Sequence, residues 1–452
     1  GDEETVNQKI ADGQEADYSD STEISVVSEV TQEEPHFGFT YSELVSRGYF
    51  DLHLSGVTSV FRGFDKRRGR DLIYLADKEN NQIVVVDSYT YEVVNIVTTP
   101  DDSTFDEKSF SPEQVIADSK GRMYVIAANV YEGIMQFSAD GKFNRFVGVN
   151  YVSLTPWEIF WRNFSTEEQL AKQNTIINTS FPSLTIDPRR FIYTTAYAIT
   201  DDDGLITDDQ NMVKKINQVG KDILRRNGYQ APMGDVLYNQ AGTVTSLKGA
   251  SKFVAIDVNE YGLYTIVDAK MSKLFTYDNE GRLLYISGEP IYSGVDKPSQ
   301  INTLSNPVSV RYLGENLLVL DKNTKAILIY EPTDIGKIIN EASRLDYEGD
   351  TDAASQKWQE VVKLNANYEY AYIGIGKDYY AKKDYKSAMK YFELGADNDL
   401  YSKAYKMYRD AKIRKYFGPF MLALIVLIVA HSIWKRIKRK GQKREDTGMG
   451  DE

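Results

Sequence analysis

The sequence of 452 residues has no cysteine and only three histidines. Without cysteine the chain has no disulfide scaffold, thiol nucleophile or cysteine-ligated zinc or iron–sulfur centre. His36, His53 and His431 are far apart in the sequence and form no HExxH or similar metal-binding pattern. The net charge of −13 argues against a general nucleic-acid binder. We therefore predict no catalytic residues, no cofactor and no metal, and expect the sequence to inform on architecture and anchoring first.

Acidic residues are concentrated at the start of the chain. Residues 1–34 contain eleven acids and a single base, Lys9, and so carry most of the net negative charge. The segment has few large apolar side chains to offset the entropy lost on folding. Residues 1–36 are therefore predicted to be a flexible tail, with Ile24–Val30 as an added strand the alternative. Because Gly1 replaces an initiator Met, we expect either a removed signal peptide or an artificial boundary in the numbering.

One long uncharged run lies near the end of the chain. Phe417–Trp434 has 18 residues without a charge, which is close to the length needed to cross a bilayer. Pro419 is predicted to lie in the first turn of this helix, where a missing N–H costs little. We predict a transmembrane helix over residues 416–434. Its flanking residues are Arg414, Lys415, Trp434, Lys435, Arg436, Lys438, Arg439 and Lys440.

The bases on the two sides of this run predict its orientation. Seven bases follow the run within ten residues of a short polar tail, whereas six precede it along a predicted helix. The positive-inside rule then places residues 435–452 in the cytoplasm. The prediction is a single-pass protein of the cell membrane with its N-terminal domains extracellular. A tail-anchored protein facing the cytoplasm is the alternative.

Residues 37–332 repeat a pattern of β-rich runs separated by short polar turns. Leu72–Asp87, Gly262–Asp278 and Arg311–Tyr330 each contain two such runs around an Asp, and Phe110–Val147 contains four. Four antiparallel strands per repeat are typical of a propeller blade. First strands are predicted near residues 58, 114, 183, 253 and 308. This spacing predicts an all-β propeller of five units, with a sixth possible within 37–57 or 228–250.

Asp residues close many of these runs, for example Asp77, Asp118, Asp187 and Asp321. Asp at a strand end commonly accepts hydrogen bonds from the backbone of the following turn. We therefore interpret the repeated Asp residues as turn formers and not as ligands of a metal.

Two stretches of the propeller region resemble a known repeat. Phe110–Val125 and Ile73–Asp87 look like the signature of the NHL repeat. This resemblance implies a β-propeller over residues from about 40 to 332. It implies nothing about function, because propellers serve in binding, scaffolding and hydrolysis.

An aromatic segment separates the second unit from the third. Trp157, Phe160, Trp161 and Phe164 have the spacing of one helical stripe, after a capping signal at Thr155. We predict a helical insertion over residues 153–176. The stripe either packs on the side of the propeller or docks a partner or the membrane interface, since large aromatic side chains are typical interaction hot spots.

Residues 333–415 change from a strand period to a helix period and match themselves at a spacing of 34. The matched pairs are Ala342 with Gly376, Leu345 with Tyr379, Ala354 with Ala388, and Trp358 with Phe392. This helix–turn–helix period resembles the tetratricopeptide (TPR) repeat. The predicted role is a rigid spacer or docking stem, with peptide binding the alternative. The basic residues of 377–415 form either a solvated face or a contact with anionic lipid.

The predicted order is therefore an acidic tail, a propeller, a helical stem, a membrane helix and a basic cytoplasmic tail. This order is similar to that of accessory membrane proteins beside carbohydrate ABC importers in Gram-positive bacteria. The resemblance implies a non-catalytic scaffold or accessory subunit with a protein partner, anchored in lipid by one helix and binding no nucleic acid. The alternatives are a surface receptor for a glycan or peptide in the propeller channel, and a metal-dependent, lactonase-like hydrolase.

Overall fold

The computed structural model describes residues 54–102, 105, 110–151, 176–177, 180–197, 199–200, 206–208, 211–224, 234, 251–290 and 302–447. These residues form a five-bladed β-propeller followed by helices. The chain divides into two compact units, Gly1–Asn178 with the first two blades and Thr179–Glu452 with the other three and the helices. The predicted fold class of five units followed by helical hairpins and one long apolar helix is confirmed.

The first unit contains two four-stranded antiparallel blades, each with its strands in chain order. Blade 1 consists of β1 (Val57–Asp65), β2 (Arg70–Asp77), β3 (Gln82–Asp87) and β4 (Val93–Val97). Blade 2 consists of β5 (Pro112–Ala117), β6 (Met123–Ala127), β7 (Ile134–Phe137) and β8 (Phe143–Val147). Alternate apolar side chains of the two sheets meet in one core that includes Leu72, Tyr74, Val115 and Val125. The period of two in the sequence therefore directs these residues inward.

A short strand pair follows blade 2. β9 (Asn150–Tyr151) pairs with β10 (Ile176–Ile177) in antiparallel register. Ile176, the last residue of the predicted helical insertion, is thus part of a strand, because its backbone pairs with Tyr151. The rest of that insertion, including its aromatic stripe, lies outside the described residues.

The second unit contains the remaining three blades. Blade 3 has β11 (Ser183–Ile186), β12 (Ile192–Thr195) and β15 (Val213–Ile216), with the hairpin β13 (Ile199–Thr200) and β14 (Ile206–Asp208) inserted. Blade 4 has β16 (Phe253–Val258), β17 (Tyr264–Asp268), β18 (Lys273–Tyr277) and β19 (Leu283–Ser287). β20 (Glu289–Pro290) pairs in parallel with β21 (Thr303–Leu304). Blade 5 has β22 (Pro307–Leu313), β23 (Asn316–Asp321) and β24 (Ala326–Tyr330). The first strands of all five blades begin within two residues of the predicted positions.

The Asp residues at the strand ends organise the turns, as predicted. Asp118 accepts hydrogen bonds from the backbone N–H groups of Lys120 and Arg122, at 2.8 and 3.1 Å. Gly121 completes this turn with a φ of +73°, a conformation that side chains with a Cβ disfavour. In blade 5, Asp321 accepts four backbone N–H groups, those of Ser305, Asn306, Asn323 and Thr324.

Five helices follow the propeller: α1 (Asp334–Glu348), α2 (Thr351–Leu364), α3 (Glu369–Ala381), α4 (Tyr385–Leu394) and α5 (Asn398–Thr447). Polar side chains cap the starts of α1, α2 and α4, whereas α3 starts after Tyr368 without a side-chain cap. The side chains of Thr333, Asp350 and Asp384 accept the N–H groups of Gly336, Ala353 and Ser387. Gly349 ends α1 in the left-handed conformation, with a φ of 90°, so that the chain can reverse into α2.

α5 is one continuous helix of 50 residues. It begins in the helical hairpins and contains the uncharged run, none of which is buried; it is long and apolar enough to be a candidate membrane span. Pro419 lies inside this helix, so the prediction that Pro419 falls in a first turn is wrong. The helix starts some twenty residues earlier, where Asp397 caps its first turn, and it continues through Gly418 and Pro419. Pro419 deprives the exposed Lys415 carbonyl of its donor and crowds it, and solvent can offset the lost hydrogen bond.

Candidate functional site

Blade 4 and the helical hairpins share one apolar core. Leu263 and Leu284 of blade 4 belong to the same buried cluster as Ile339 of α1, Trp358 of α2 and Tyr370 of α3. Trp358 is fully buried and stacks edge-on against Tyr370, with ring centroids 5.0 Å apart. Since apolar burial is the main stabilising term in folding, this shared core stabilises the packing of the hairpins on blade 4. This contact is called the blade–helix junction below.

A buried ion pair joins the blade to the start of α5. The guanidinium of Arg282 donates to Asp397 at 2.9 Å and to Glu280 at 3.0 Å. The other carboxylate oxygen of Asp397 accepts the backbone N–H of Leu400 at 2.8 Å and so caps the first turn of α5. One carboxylate therefore holds both the propeller and the helix that contains the candidate membrane span.

Asp278 and Tyr370 complete the junction. Asp278 accepts two backbone N–H groups of its own turn with one oxygen and the hydroxyl of Tyr370 with the other. Burial, together with the nearby Asp278 carboxylate, raises the pKa of the Tyr370 phenol well above its ordinary value. Burial alone would lower the pKa of Arg282, but the Tyr370 phenol and the neighbouring carboxylates outweigh this effect and raise it. The phenol is therefore neutral and the guanidinium charged throughout the physiological range.

None of these residues is among those predicted for a site, although the sequence contains a signal. The turn Asp278–Arg282 has the same Asp, Gly and Arg spacing as the turn Asp118–Arg122 of blade 2. In blade 2 the arginine folds back, and Arg122 donates to Asp118 at 2.8 Å. In blade 4 the corresponding Arg282 donates to Asp397 instead. The repeated motif therefore identifies the arginine in the sequence but not the carboxylate that it binds.

Further contacts cover the side of the hairpins that α1 and α3 present to the blade. Tyr368 donates to the Leu284 carbonyl at 2.9 Å, and Tyr285 donates to Asn340 at 2.9 Å. Lys377 lies 3.7 Å from Glu280. This side of the hairpins is occupied by blade 4, which disfavours the alternative that it binds a peptide.

A second polar cluster connects blade 3 to α1. The guanidinium of Arg189 lies 3.7 Å above the ring of Tyr347, an arrangement typical of a cation–π contact. Burial raises the pKa of Asp187 and lowers that of Lys215, whose ammonium group donates to the Asn279 carbonyl at 3.1 Å. These contacts attach the end of α1 to blade 3, and blade 3 to blade 4.

Asp257 links the innermost strands of the three blades in the second unit. It accepts hydrogen bonds from Thr185 of β11 at 2.9 Å and from Arg311 of β22 at 2.8 Å. The backbone N–H of Tyr312 donates to its other oxygen at 2.8 Å. Asp257 therefore has a structural role that accounts for its burial.

The residues predicted to pack the helical repeats lie in the shared core. Ala342, Ala354, Trp358, Gly376, Ala388 and Phe392 are buried, and Leu345 and Tyr379 are half-buried. A Cβ built on Gly376 would approach the ring of Phe392 to 2.7 Å, so these two predicted packing positions of the second repeat touch. The neighbouring Gly374 is tighter still, because a Cβ there would be 2.0 Å from Trp358.

The predicted membrane-flanking residues lie at the two ends of the apolar part of α5. Arg414 and Lys415 are exposed before it, and Trp434 is exposed at its far end beneath the ammonium group of Lys438 at 5.6 Å. Lys435, Arg436, Lys438, Arg439 and Lys440 continue the same helix. α5 thus has bases at both ends of its apolar run.

Two other predicted features bear on the site. The candidate docking residues Trp157, Phe160, Trp161 and Phe164 lie outside the described residues. Within the described part of the chain, no group of three or more His, Asp or Glu side chains could hold a metal ion. The hydrolase alternative therefore gains no support from the described blades.

Comparisons with known proteins found structures but no sequence family. No protein-family model and no curated protein matches this chain. A streptogramin B lyase structure is similar at a TM-score of 0.31 and 12% identity, over 63% of this chain and 71% of that one. Kuenenia stuttgartiensis hydrazine synthase matches at a TM-score of 0.31 and 9% identity, over 62% of this chain and 96% of that one. Virginiamycin B lyase from Staphylococcus aureus matches at a TM-score of 0.30 and 11% identity, over 62% of this chain and 85% of that one.

Proposed function

We propose that this chain is a membrane-anchored, non-catalytic accessory protein whose propeller binds a protein partner outside the membrane. The observation that carries this proposal is the blade–helix junction, where Asp397 binds Arg282 and caps α5. A flexible linker would be sufficient if the helix served only to tether the propeller to the membrane. A buried junction instead couples blade 4 directly to the helix that contains the candidate membrane span, as an accessory subunit of a membrane complex requires.

The proposed partner is a membrane complex with parts above the bilayer. The resemblance described from the sequence favours the permease or solute-binding subunits of a carbohydrate ABC importer. The proposed orientation, with residues 435–452 in the cytoplasm, brings the propeller to the side where such an importer receives its substrate. The proposed contact is the aromatic stripe of Trp157, Phe160, Trp161 and Phe164.

A second surface offers a rival contact. Leu320 and Ile327 are cross-strand partners on blade 5, and both are exposed, as is Ile329 beside them. Exposed apolar groups of this kind are common at protein interfaces.

Crosslinking of native membranes followed by mass spectrometry tests the proposal. We expect permease or solute-binding subunits to co-purify with the full chain in near-equal amount. The variant W157A/F160A/W161A/F164A should lose them, whereas L320S/I327S/I329S, matched in its loss of apolar surface, should keep them. The reverse result would move the contact to blade 5. Recovery of the chain alone, with crosslinker in excess, would contradict the accessory role.

A further inference from the structure

The last turn of α5 before its uncharged run is strongly basic and fully accessible. Lys412, Arg414 and Lys415 are all exposed, and no acid lies among them. The nearest acid, Asp410, is paired with Arg409 at 3.1 Å. These three bases therefore form a concentrated positive charge without internal neutralisation.

The helix geometry sets the height of these bases above the apolar run. At about 1.5 Å per residue, Lys415 lies about 3 Å and Lys412 about 8 Å along the axis from Phe417. The headgroup layer on each side of a bilayer is about 5 to 8 Å thick. All three bases fall within or at the edge of that layer, whereas Arg409, at about 12 Å, lies above it.

Aromatic side chains lie beside both lysines. The ammonium group of Lys412 lies 5.8 Å from the ring centre of Tyr416 and 5.4 Å from that of Tyr408, and the ammonium group of Lys415 lies 5.5 Å from that of Tyr416. Tyr416 is exposed and adjoins the uncharged run, a position that tyrosine favours at membrane interfaces. Lys415 therefore contacts a tyrosine at the proposed interface, and Lys412 lies between that tyrosine and a second one a turn farther from the run.

We propose that Lys412, Arg414 and Lys415 bind the phosphate groups of anionic phospholipids in the leaflet nearest the propeller. The inference rests on the proposed membrane anchor and adds a lipid preference to it. Each base near a charged bilayer attracts anionic lipid independently, so three bases together select such lipids from a mixture. Bound headgroups would neutralise these three basic side chains and so restrain the tilt of α5.

The absence of cysteine allows a local test with the full chain. A bimane fluorophore is attached to Cys in I413C, and the protein is placed in nanodiscs with nitroxide-bearing phosphatidylglycerol or nitroxide-bearing phosphatidylcholine. We expect phosphatidylglycerol to quench at least about twofold more strongly, with the excess removed by high salt. Addition of K412Q/R414Q/K415Q should reduce the ratio to one. The control K403Q/K406Q/R409Q removes the same charge from the same helix, above the headgroup layer, and should leave the ratio unchanged.

The outcomes separate this inference from the anchor itself. Equal quenching by the two lipids, or equal loss of the excess in both triple variants, would overturn the lipid preference. Failure of every lipid to quench the fluorophore would instead contradict the membrane anchor. Thermal unfolding of each variant checks that these exposed substitutions leave the fold intact.

Discussion

Arg282 joins blade 4 to the start of α5 through a buried ion pair. It is 8% exposed, and its ion pair with Asp397 is almost fully removed from water. A buried pair contributes little net stability when compared with an apolar replacement, but breaking one by removing a single partner is costly. The strength of the blade–helix junction therefore depends on keeping both charges.

The matched turn of blade 2 provides a control for this residue. We expect R282M to lower the free energy of unfolding by about 3 kcal/mol, because it leaves the Asp397 carboxylate buried without its cation. R122M also removes the cation of a buried aspartate, but that ion pair lies within a single turn of blade 2, so it should leave the hydrogen exchange of α1–α4 unchanged. Thermal unfolding and hydrogen exchange of α1–α4 in detergent provide the measurement. Equal effects of the two changes would contradict a special role for Arg282.

Asp321 illustrates how the turn aspartates make stability depend on pH. Burial alone would raise its pKa, but the backbone N–H groups it accepts outweigh this effect and lower the pKa. Since the pKa in the folded state lies below that in the unfolded state, the ionised group stabilises the fold above about pH 4. This contribution is lost as the pH falls through the folded-state pKa.

The variant D321N isolates that contribution. At pH 7 we expect a loss of about 1 to 3 kcal/mol in unfolding free energy, because an amide oxygen accepts these donors more weakly than a carboxylate. The difference from the parent chain should shrink as the pH falls below 4. Denaturant unfolding at pH 7 and pH 3 measures it, with hydrogen exchange at Ser305 and Thr324 as the local readout. A difference that grows toward acid would contradict the assignment.

Among the elements, the helical hairpins have the least room for change. Gly374 on α3 lies against Trp358, whose indole N–H donates to Asp346 at 3.0 Å. The indole cannot move aside without losing that bond. Burial also raises the pKa of Asp346, so the ionised form of this carboxyl group depends on its few partners for stabilisation.

The change G374A tests this packing. Alanine would stabilise a helix by about 1 kcal/mol relative to glycine, but the clash with the indole costs about 1 to 3 kcal/mol or more. We expect a net loss of stability and weaker protection of α2 and α3 in hydrogen exchange. G418A serves as the control, because no atom lies within 4 Å of a Cβ at that position and it should not destabilise the protein. A stabilised G374A would show that the hairpins pack more loosely than described.

For the molecule as a whole, the open question is the side of the membrane on which the propeller lies. In the parent chain there is no cysteine to react. Y89C places one at a side chain that is 91% exposed in blade 1, and K443C places one in the predicted cytoplasmic tail. On intact cells a membrane-impermeant maleimide should label Y89C and not K443C, and permeabilised cells should show both. The opposite pattern would support the tail-anchored alternative.

The propeller was predictable in its main features because the relevant signals are local. Alternating apolar runs and Asp–Gly turns fix a strand pair within some twenty residues, so the first strands of all five blades were placed correctly. A capping signal predicts a helix that extends to Ile176, whereas pairing with Tyr151 makes this residue part of a strand. The apolar run predicts Pro419 in a first helical turn, because the capping by Asp397 lies outside that run.

Local sequence patterns are sufficient to predict the blades, the small and large positions that pack the hairpins, and the uncharged run of α5. Each follows from side-chain size, polarity and turn preference within a short stretch of chain. The packing of the hairpins on blade 4 and the contact of Arg282 with Asp397 are visible only in the folded molecule. Those two residues are 115 positions apart, and Tyr370 is 92 positions from Asp278. Contacts at such separations depend on which surfaces the folded chain brings together, and no local pattern specifies that.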